Sequence, residues 1–181
     1  MAVVTERRTE FIVEPGKQEL TIRRAFNGPR ERVFKALTDP ALVPLWWGPS
    51  RFTTIVDRMD ARPGGLWRYV NRDAAGNEYG FHGVYHDVVP SERVVYTFEF
   101  EGVPGHVSLE AATFLEVDGG TEMTAKVVYQ SVEDRDGAVA SGMEEGARET
   151  WERLADLVEK EGQLPADHSQ QEKTYTEEHY C

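Results

Sequence analysis

The order of the predicted elements constrains this chain more than any other feature. A strand and a short helix come first, six turn-linked segments with strand-like alternation follow, and one strongly amphipathic helix comes last, at about 133–161. Hairpin-linked strands cannot cover one whole face of their own sheet, so the last helix is expected to lie across it. The order predicts an α+β fold, in which a curved antiparallel sheet wraps around a long C-terminal helix and encloses a cavity. The six segments are 52–61, 66–71, 78–89, 93–100, 107–117 and 121–130.

Two adjacent tryptophans lie between the first predicted strand, 18–26, and the rest of the sheet. Asn27 is expected to cap a short helix, and Pro40 to end it, because the residue before a proline avoids the α conformation. Adjacent side chains cannot both face the same way. We therefore expect one of Trp46 and Trp47 to fill the core and the other to lie at an opening of the cavity.

Alternation along the strands predicts which side chains face the cavity. Arg68 is charged and is expected to point to solvent, so its neighbours Trp67 and Tyr69 should point inward. The same reasoning turns Phe81 and Tyr85 inward in the next segment.

The segment 107–117 does not yield a single facing. Leucines and valines occupy one parity of this segment, while Phe114 stands on the other. Either parity of this segment could therefore face the cavity. In the preceding segment, Tyr96 and Phe98 share one parity, opposed to Thr97.

The last predicted helix carries an apolar stripe that should face the sheet. Gly142 and Gly146 each cost about 0.8–1.0 kcal/mol relative to alanine inside a helix. Either a close approach to a strand or space for a ligand beside Met143 would explain them. The stripe consists of Met143, Ala147, Trp151, Leu154 and Val158.

Composition limits the partners. The formal net charge of −12 repels nucleic acid phosphates, and no run of residues approaches the ~20 apolar residues of a membrane span. The first 15 residues are too charged for a signal peptide, and Cys181 is the one cysteine, which fits a cytoplasmic location. We expect one domain at 18–161, flanked by a flexible N-terminal segment, 1–17, and a flexible acidic tail, 162–181.

The search for catalytic and metal-binding patterns yields little. The chain has no glycine-rich nucleotide loop, no H-E-x-x-H and no nucleophile elbow. His82 and His86 would stand roughly 13 Å apart on one strand face, too far to share a metal ion. We expect no metal and no cofactor. Asp57 is the candidate acid, while Asp60 is assigned to a turn.

Seven short strings, spread over residues 18–161, carry a family resemblance. They are Asn27–Phe34 (NGPRERVF), Thr38–Pro40 (TDP), Trp46–Pro49 (WWGP), Asp60–Gly65 (DARPGG), Gly83–Tyr85 (GVY), Pro90–Val94 (PSERV) and Ser141–Met143 (SGM). In these strings the chain resembles the homologues of the activator of heat shock protein 90 ATPase, a branch of the START-like superfamily, also called SRPBCC. The resemblance implies the helix-grip fold with an internal cavity, and members of the superfamily bind lipids, hormones or polyketides, while a few are enzymes.

Three functions stay open at this point. The first is binding of a small hydrophobic or amphipathic molecule in the cavity. The second is an enzyme of cyclase or hydrolase type that uses the same pocket, and the third is a co-chaperone-like interaction module for a heat-shock chaperone. The sequence does not identify the ligand, and it leaves open whether the protein forms a homodimer. The residues expected to bind the ligand are Trp47, Met59, Trp67, Tyr69, Phe81, Tyr85, Tyr96, Phe98, Met143 and Ala147.

Overall fold

One antiparallel sheet forms the framework of the molecule. The structure is a computed structural model and describes residues 7–160. The eight strands of the sheet stand in the order β1-β2-β8-β7-β6-β5-β4-β3, so the chain meanders from β3 to β8 and then adds β2 and β1 beside β8. The strands are β1 (Glu10–Val13), β2 (Glu19–Phe26), β3 (Thr53–Met59), β4 (Leu66–Arg72), β5 (Glu78–Val89), β6 (Arg93–Phe100), β7 (Val107–Val117) and β8 (Gly120–Val128).

Helices in two places cover one face of this sheet. Two short helices connect β2 to β3, and two more follow β8. The predicted α+β fold, with a curved antiparallel sheet and a C-terminal helix, is confirmed. The helices are α1 (Arg30–Thr38), α2 (Val43–Trp46), α3 (Val132–Ala140) and α4 (Met143–Glu159).

The N-terminal segment corrects one expectation. Residues 1–17 were expected to be flexible, yet β1 pairs antiparallel with β2, with Glu10 opposite Arg23. Phe11 packs against the core, and the Arg148 guanidinium lies 4.8 Å from the centre of its ring. These contacts order residues 10–13, while residues 1–6 lie outside the described residues. The predicted flexible tail, 162–181, lies outside the described residues.

The C-terminal helical region also differs from the expectation of one continuous helix. Ser131 caps α3 by accepting a hydrogen bond from the Asp134 N–H at 3.0 Å, and α3 ends before Gly142. Gly142 has φ +85°, in the left-handed region, and precedes the first residue of α4. Gly142 is therefore the break between two helices and not a site of close packing. Gly146 lies inside α4, where an added Cβ would come no closer than 3.7 Å to Pro49.

Helix α1 begins differently from the expectation. Pro29 is the N-cap residue, and no side chain caps this helix. The Asn27 N–H donates a 2.9 Å hydrogen bond to Glu159 at the end of α4. Asn27 therefore joins α4 to the start of α1.

Helix α4 is fastened to β2 by apolar burial and by one ion pair. Trp151, Leu154 and Val158 are buried in the core. The buried Arg24 of β2 forms two hydrogen bonds with Glu152, of 2.6 and 3.1 Å. This two-pronged arrangement is the strong geometry of an arginine–carboxylate pair.

The two glycines of the C-terminal helices should respond to alanine in opposite directions. Gly142→Ala should lower the free energy of unfolding by about 1–2 kcal/mol, because a Cβ strains the left-handed conformation. Gly146→Ala should raise it by roughly 0.8–1.0 kcal/mol, because the helix interior prefers alanine and has room for the methyl group. Urea denaturation of both variants measures the two changes, and equal effects would contradict this account of the helix break.

Candidate functional site

Strand β7 turns a carboxylate into the interior. Ala112 and Phe114 are buried, with 3% and 4% of their surface exposed, whereas Leu109 and Leu115 are 44% and 62% exposed. The parity of Phe114 is thus the inward one, which settles the register that the sequence left open. Because alternate residues share a face, Glu110 also faces inward. It stands opposite Tyr96 of β6 and Val127 of β8.

A small cavity lies between the sheet and helices α1 and α2. Its volume is about 80 Å³, enough for roughly three waters at the ~30 Å³ that each occupies in the liquid. Seven of the ten lining residues are aromatic, and one carries a carboxylate. They are Leu37, Trp46, Trp47, Trp67, Tyr69, Tyr85, Val94, Tyr96, Phe98 and Glu110.

Trp67 is at the centre of the aromatic wall. Its ring centre lies 4.8 Å from that of Tyr69, 6.0 Å from Tyr96 and 5.9 Å from Phe98. Its indole N–H donates to the Thr97 carbonyl at 3.2 Å. These tilted and edge-on pairs are the arrangements that aromatic rings prefer, so the wall is rigid.

Glu110 and Tyr96 form the polar centre of the cavity. The Tyr96 hydroxyl donates a 2.7 Å hydrogen bond to Glu110. Burial raises the pKa of Glu110, and the hydrogen bond from Tyr96 opposes this only in part. The pKa of Tyr96 is also raised, by burial first and by the neighbouring Glu110 carboxylate second. The site therefore holds a carboxyl group that is costly to ionise without a partner.

A second pair of hydroxyls lies in the same cavity. The Tyr69 and Tyr85 oxygens are 3.4 Å apart, and the Tyr69 hydroxyl is 3.5 Å from the Met59 sulfur. Burial raises the pKa of Tyr69 and of Tyr85. Both phenols therefore stay protonated at neutral pH and are available as hydrogen-bond donors.

The two adjacent tryptophans differ in burial. Trp46 is buried, and its indole N–H donates to the Ala36 carbonyl at 2.8 Å. Trp47 is partly exposed and packs edge-on against Tyr69 with ring centres 5.2 Å apart. The Trp47 carbonyl accepts a 2.7 Å hydrogen bond from Thr54 of β3. Both tryptophans line the cavity, and this hydrogen bond fixes the backbone of Trp47 against β3.

Six of the ten residues expected to bind a ligand line the cavity. Phe81 packs against Trp47, with ring centres 5.1 Å apart, and is not part of the lining. The Met143 sulfur accepts a 3.3 Å hydrogen bond from Tyr129. Met143 and Ala147 do not reach the cavity, because α1 and α2 cover it in place of α4. The six are Trp47, Trp67, Tyr69, Tyr85, Tyr96 and Phe98, and Met59 lies behind the lining, beside Tyr69 and opposite Trp67.

Asp57, the carboxylate singled out from the sequence, lies on the outer face. It is more than half exposed and lies 3.3 Å from the Arg68 guanidinium. The register of β3 against β4 shifts between Val56 and Arg58, and this irregularity places Asp57 outside. Asp60 pairs with Arg62 in the turn, which agrees with its structural assignment.

Two features of the site were missed from the sequence. Glu110 stands four residues before Phe114, so a decision on the facing of Phe114 would have found it. His82 lies between Glu99 and Glu101 on the outer face, at 3.2 and 3.1 Å. The histidine thus has carboxylate partners that strand spacing alone did not reveal.

The described residues show neither a metal cluster nor a membrane span. Within residues 7–160, no group of three His, Cys, Asp or Glu side chains is placed to hold a metal ion. No helix in the same range is long and apolar enough to cross a membrane.

Comparison with known proteins identifies the class. A helix-grip fold around a cavity of this kind defines the START-like superfamily. The family model described as "Activator of Hsp90 ATPase homolog 1-like protein" matches residues 27–159, and the chain belongs to this family. A search among curated proteins finds no match.

Solved structures agree with this assignment. A protein from Rhodobacter sphaeroides is 30% identical, with a TM-score of 0.75, over 82% of this chain and 97% of that one. Protein Ms6760 from Mycobacterium smegmatis is 27% identical, with a TM-score of 0.75, over 83% and 96%. Protein CV1439 from Chromobacterium violaceum is 27% identical, with a TM-score of 0.71, over 79% and 98%.

Removing the Glu110 carboxyl should change how stability depends on pH. The folded protein holds the pKa of Glu110 above its ordinary value, so the unfolded chain loses this proton first as the pH rises, and native stability falls across that window. Glu110→Gln lacks this titration. Its free energy of unfolding relative to the unmodified protein should therefore increase between pH 4 and pH 8.

Urea denaturation at several pH values measures this difference. Glu116→Gln is the matched control, because Glu116 is exposed on the same strand. A difference for Glu110→Gln that stays constant over the pH range would contradict the burial of the carboxyl.

Proposed function

We propose that this protein binds a small, mainly apolar molecule that carries one polar group. The observation that supports this proposal is the single carboxyl–phenol pair, Glu110 and Tyr96, in a cavity with otherwise mostly aromatic walls. Ligand sites commonly combine apolar walls with a few placed polar groups. Burial of this pair lowers the stability of the free protein, and contact with a ligand would offset that cost.

The size of the cavity restricts the ligand. The cavity volume of about 80 Å³ is well below that of pockets for drug-sized molecules, which have volumes of about 300–1,000 Å³. The bound part is therefore a compact group of a few heavy atoms, or the head of a longer molecule. Trp47 is partly exposed and joins the helix cover to the lining, so a longer molecule would leave beside it.

One observation favours a second candidate, an enzyme of cyclase or hydrolase type. Glu110 is a partly buried carboxyl whose pKa is raised by desolvation, and a group of this kind can act as a general acid. Its hydrogen bond to Tyr96 places two proton donors at one point of the cavity. Only the family name supports a co-chaperone role, and the sequence composition supports a cytoplasmic location.

A small neutral probe tests the binding proposal. Cyclohexanol, followed by tryptophan fluorescence with excitation at the indole band, should bind the full chain and change its emission, because three tryptophans line the cavity. Val94→Phe should weaken binding by at least about tenfold, because the larger ring occupies the cavity. Native mass spectrometry of the purified protein tests in parallel for a retained ligand.

Leu109→Phe is the control, because it adds the same ring type on the outer face, where Leu109 is 44% exposed. This variant should bind cyclohexanol as the unmodified protein does. Absence of any fluorescence response in a folded protein would contradict the binding proposal. Turnover of a retained ligand that Glu110→Gln abolishes would favour the enzyme instead.

A further inference from the structure

We infer that the polar group of the ligand is a compact organic cation, an alkylated ammonium, held between the Glu110 carboxylate and the aromatic rings of the cavity. This inference rests on the proposed function, because it names the chemical class of the molecule bound at that site. Three properties of the cavity support it: a carboxylate without a cationic partner, a wall of electron-rich rings, and a compact volume.

The first property is the missing counter-charge. Among residues 7–160, Glu110 forms no ion pair, and its recorded hydrogen bond comes from the neutral Tyr96 hydroxyl. Arg135 is a buried cation, but its guanidinium donates to the Glu14 carbonyl at 2.9 Å and lies 2.9 Å from Asp136. Glu110 is partly buried, so its carboxylate is costly to ionise without a cation, and a cationic ligand would supply the missing partner.

The second property is the aromatic wall. Cations are attracted to the faces of tryptophan and tyrosine rings within about 6 Å of the ring centre, and this attraction grows when the site is dry. Trp67, Tyr69 and Tyr96 form a continuous cluster that lines the same cavity as Glu110, with the Tyr69 and Tyr96 ring centres 4.8 and 6.0 Å from that of Trp67. An ammonium group between these rings and Glu110 would meet negative potential on several sides.

The third property is the compact volume of the cavity, which acts together with its charge to disfavour other classes of ligand. An anion would face both the carboxylate and the ring faces, so the cavity disfavours it. A neutral molecule of the same shape would fill the cavity but leave the ionised Glu110 without a counter-charge. The compact volume restricts the bound part to a head group with short alkyl substituents.

Protonation of Glu110 should control whether the cavity prefers a cationic ligand to a neutral one. The titratable groups that line the cavity are Tyr69 of β4, Tyr85 of β5, Tyr96 of β6 and Glu110 of β7. Helices α1 and α2 contribute only apolar or indole side chains to the lining. Outside the lining, the pKa of Tyr129 is raised by burial and then by the Glu110 carboxylate, and lowered by Arg135 of α3, whose two terminal nitrogens contact the Glu14 carbonyl and Asp136. Because the phenols stay neutral below pH 9, Glu110 is the group that changes charge, and lowering the pH should remove the preference for a cation.

The test compares choline with its neutral carbon analogue, 3,3-dimethylbutan-1-ol. Both have the same shape and the same hydroxyl, and only choline is charged. With the full chain at pH 8 and constant ionic strength, tryptophan fluorescence should give a dissociation constant for choline at least about tenfold lower than that for the neutral alcohol. Glu110→Gln should bring the two constants together, while Glu116→Gln, an exposed change on the same strand, should keep the ratio.

Each outcome decides between the proposals. Equal binding of both probes, with no effect of Glu110→Gln, would overturn the cation inference and leave the binding proposal intact. Binding of the alcohol or cyclohexanol without any binding of choline would also overturn the cation inference and leave the binding proposal intact. Failure of all three probes in a folded protein would overturn both. If Glu110→Gln does not fold, the pH series on the unmodified protein decides, since the ratio must fall towards one as the pH is lowered.

Discussion

The structure depends on the pleat of β7. Alternate residues of a strand share a face, so burial of Ala112 and Phe114 forces Glu110 into the interior. Turning the strand over would free the carboxylate but would expose Phe114 and bury Leu109 and Leu115 in its place. In the fold, the partly buried carboxyl of Glu110 accepts a 2.7 Å hydrogen bond from Tyr96. The polar centre of the cavity is therefore a direct consequence of how the core is packed.

Helix α4 shapes the cavity without lining it. Its Arg153 donates to the carbonyls of Leu45, at 3.2 Å, and Gly48, at 2.5 Å, and these two residues flank the tryptophan pair. Glu149 accepts a 2.9 Å hydrogen bond from the Ser50 N–H in the same segment. Through these contacts α4 holds α2 and Trp47 against the sheet. The helix that grips the sheet thus also fixes the cover of the cavity, which explains why the aromatic wall stays closed around so small a volume.

The proposals for function follow from charge more than from shape. An aromatic cavity alone would accept many small apolar molecules, and members of the superfamily differ widely in what they bind. The Glu110 carboxylate narrows this range, because burial raises its pKa and leaves it in need of a partner. A ligand cation and catalysis by a protonated acid are two different uses of the same group. They differ in the charge state of Glu110, which makes pH the variable that separates them.

The sequence by itself determined the fold and most of the wall of the cavity. Clear alternation around a charged residue, as in Trp67, Arg68 and Tyr69, predicts facing because only one register buries the aromatic rings. The sequence did not reveal that Glu110 faces the cavity, since β7 carries large apolar residues on both parities. Asp57 was placed wrongly because an irregularity in β3 interrupts the alternation. The cover of the cavity, the break at Gly142 and the ordering of β1 were decided by tertiary contacts. These features depend on which distant elements meet, and local periodicity carries no information about that.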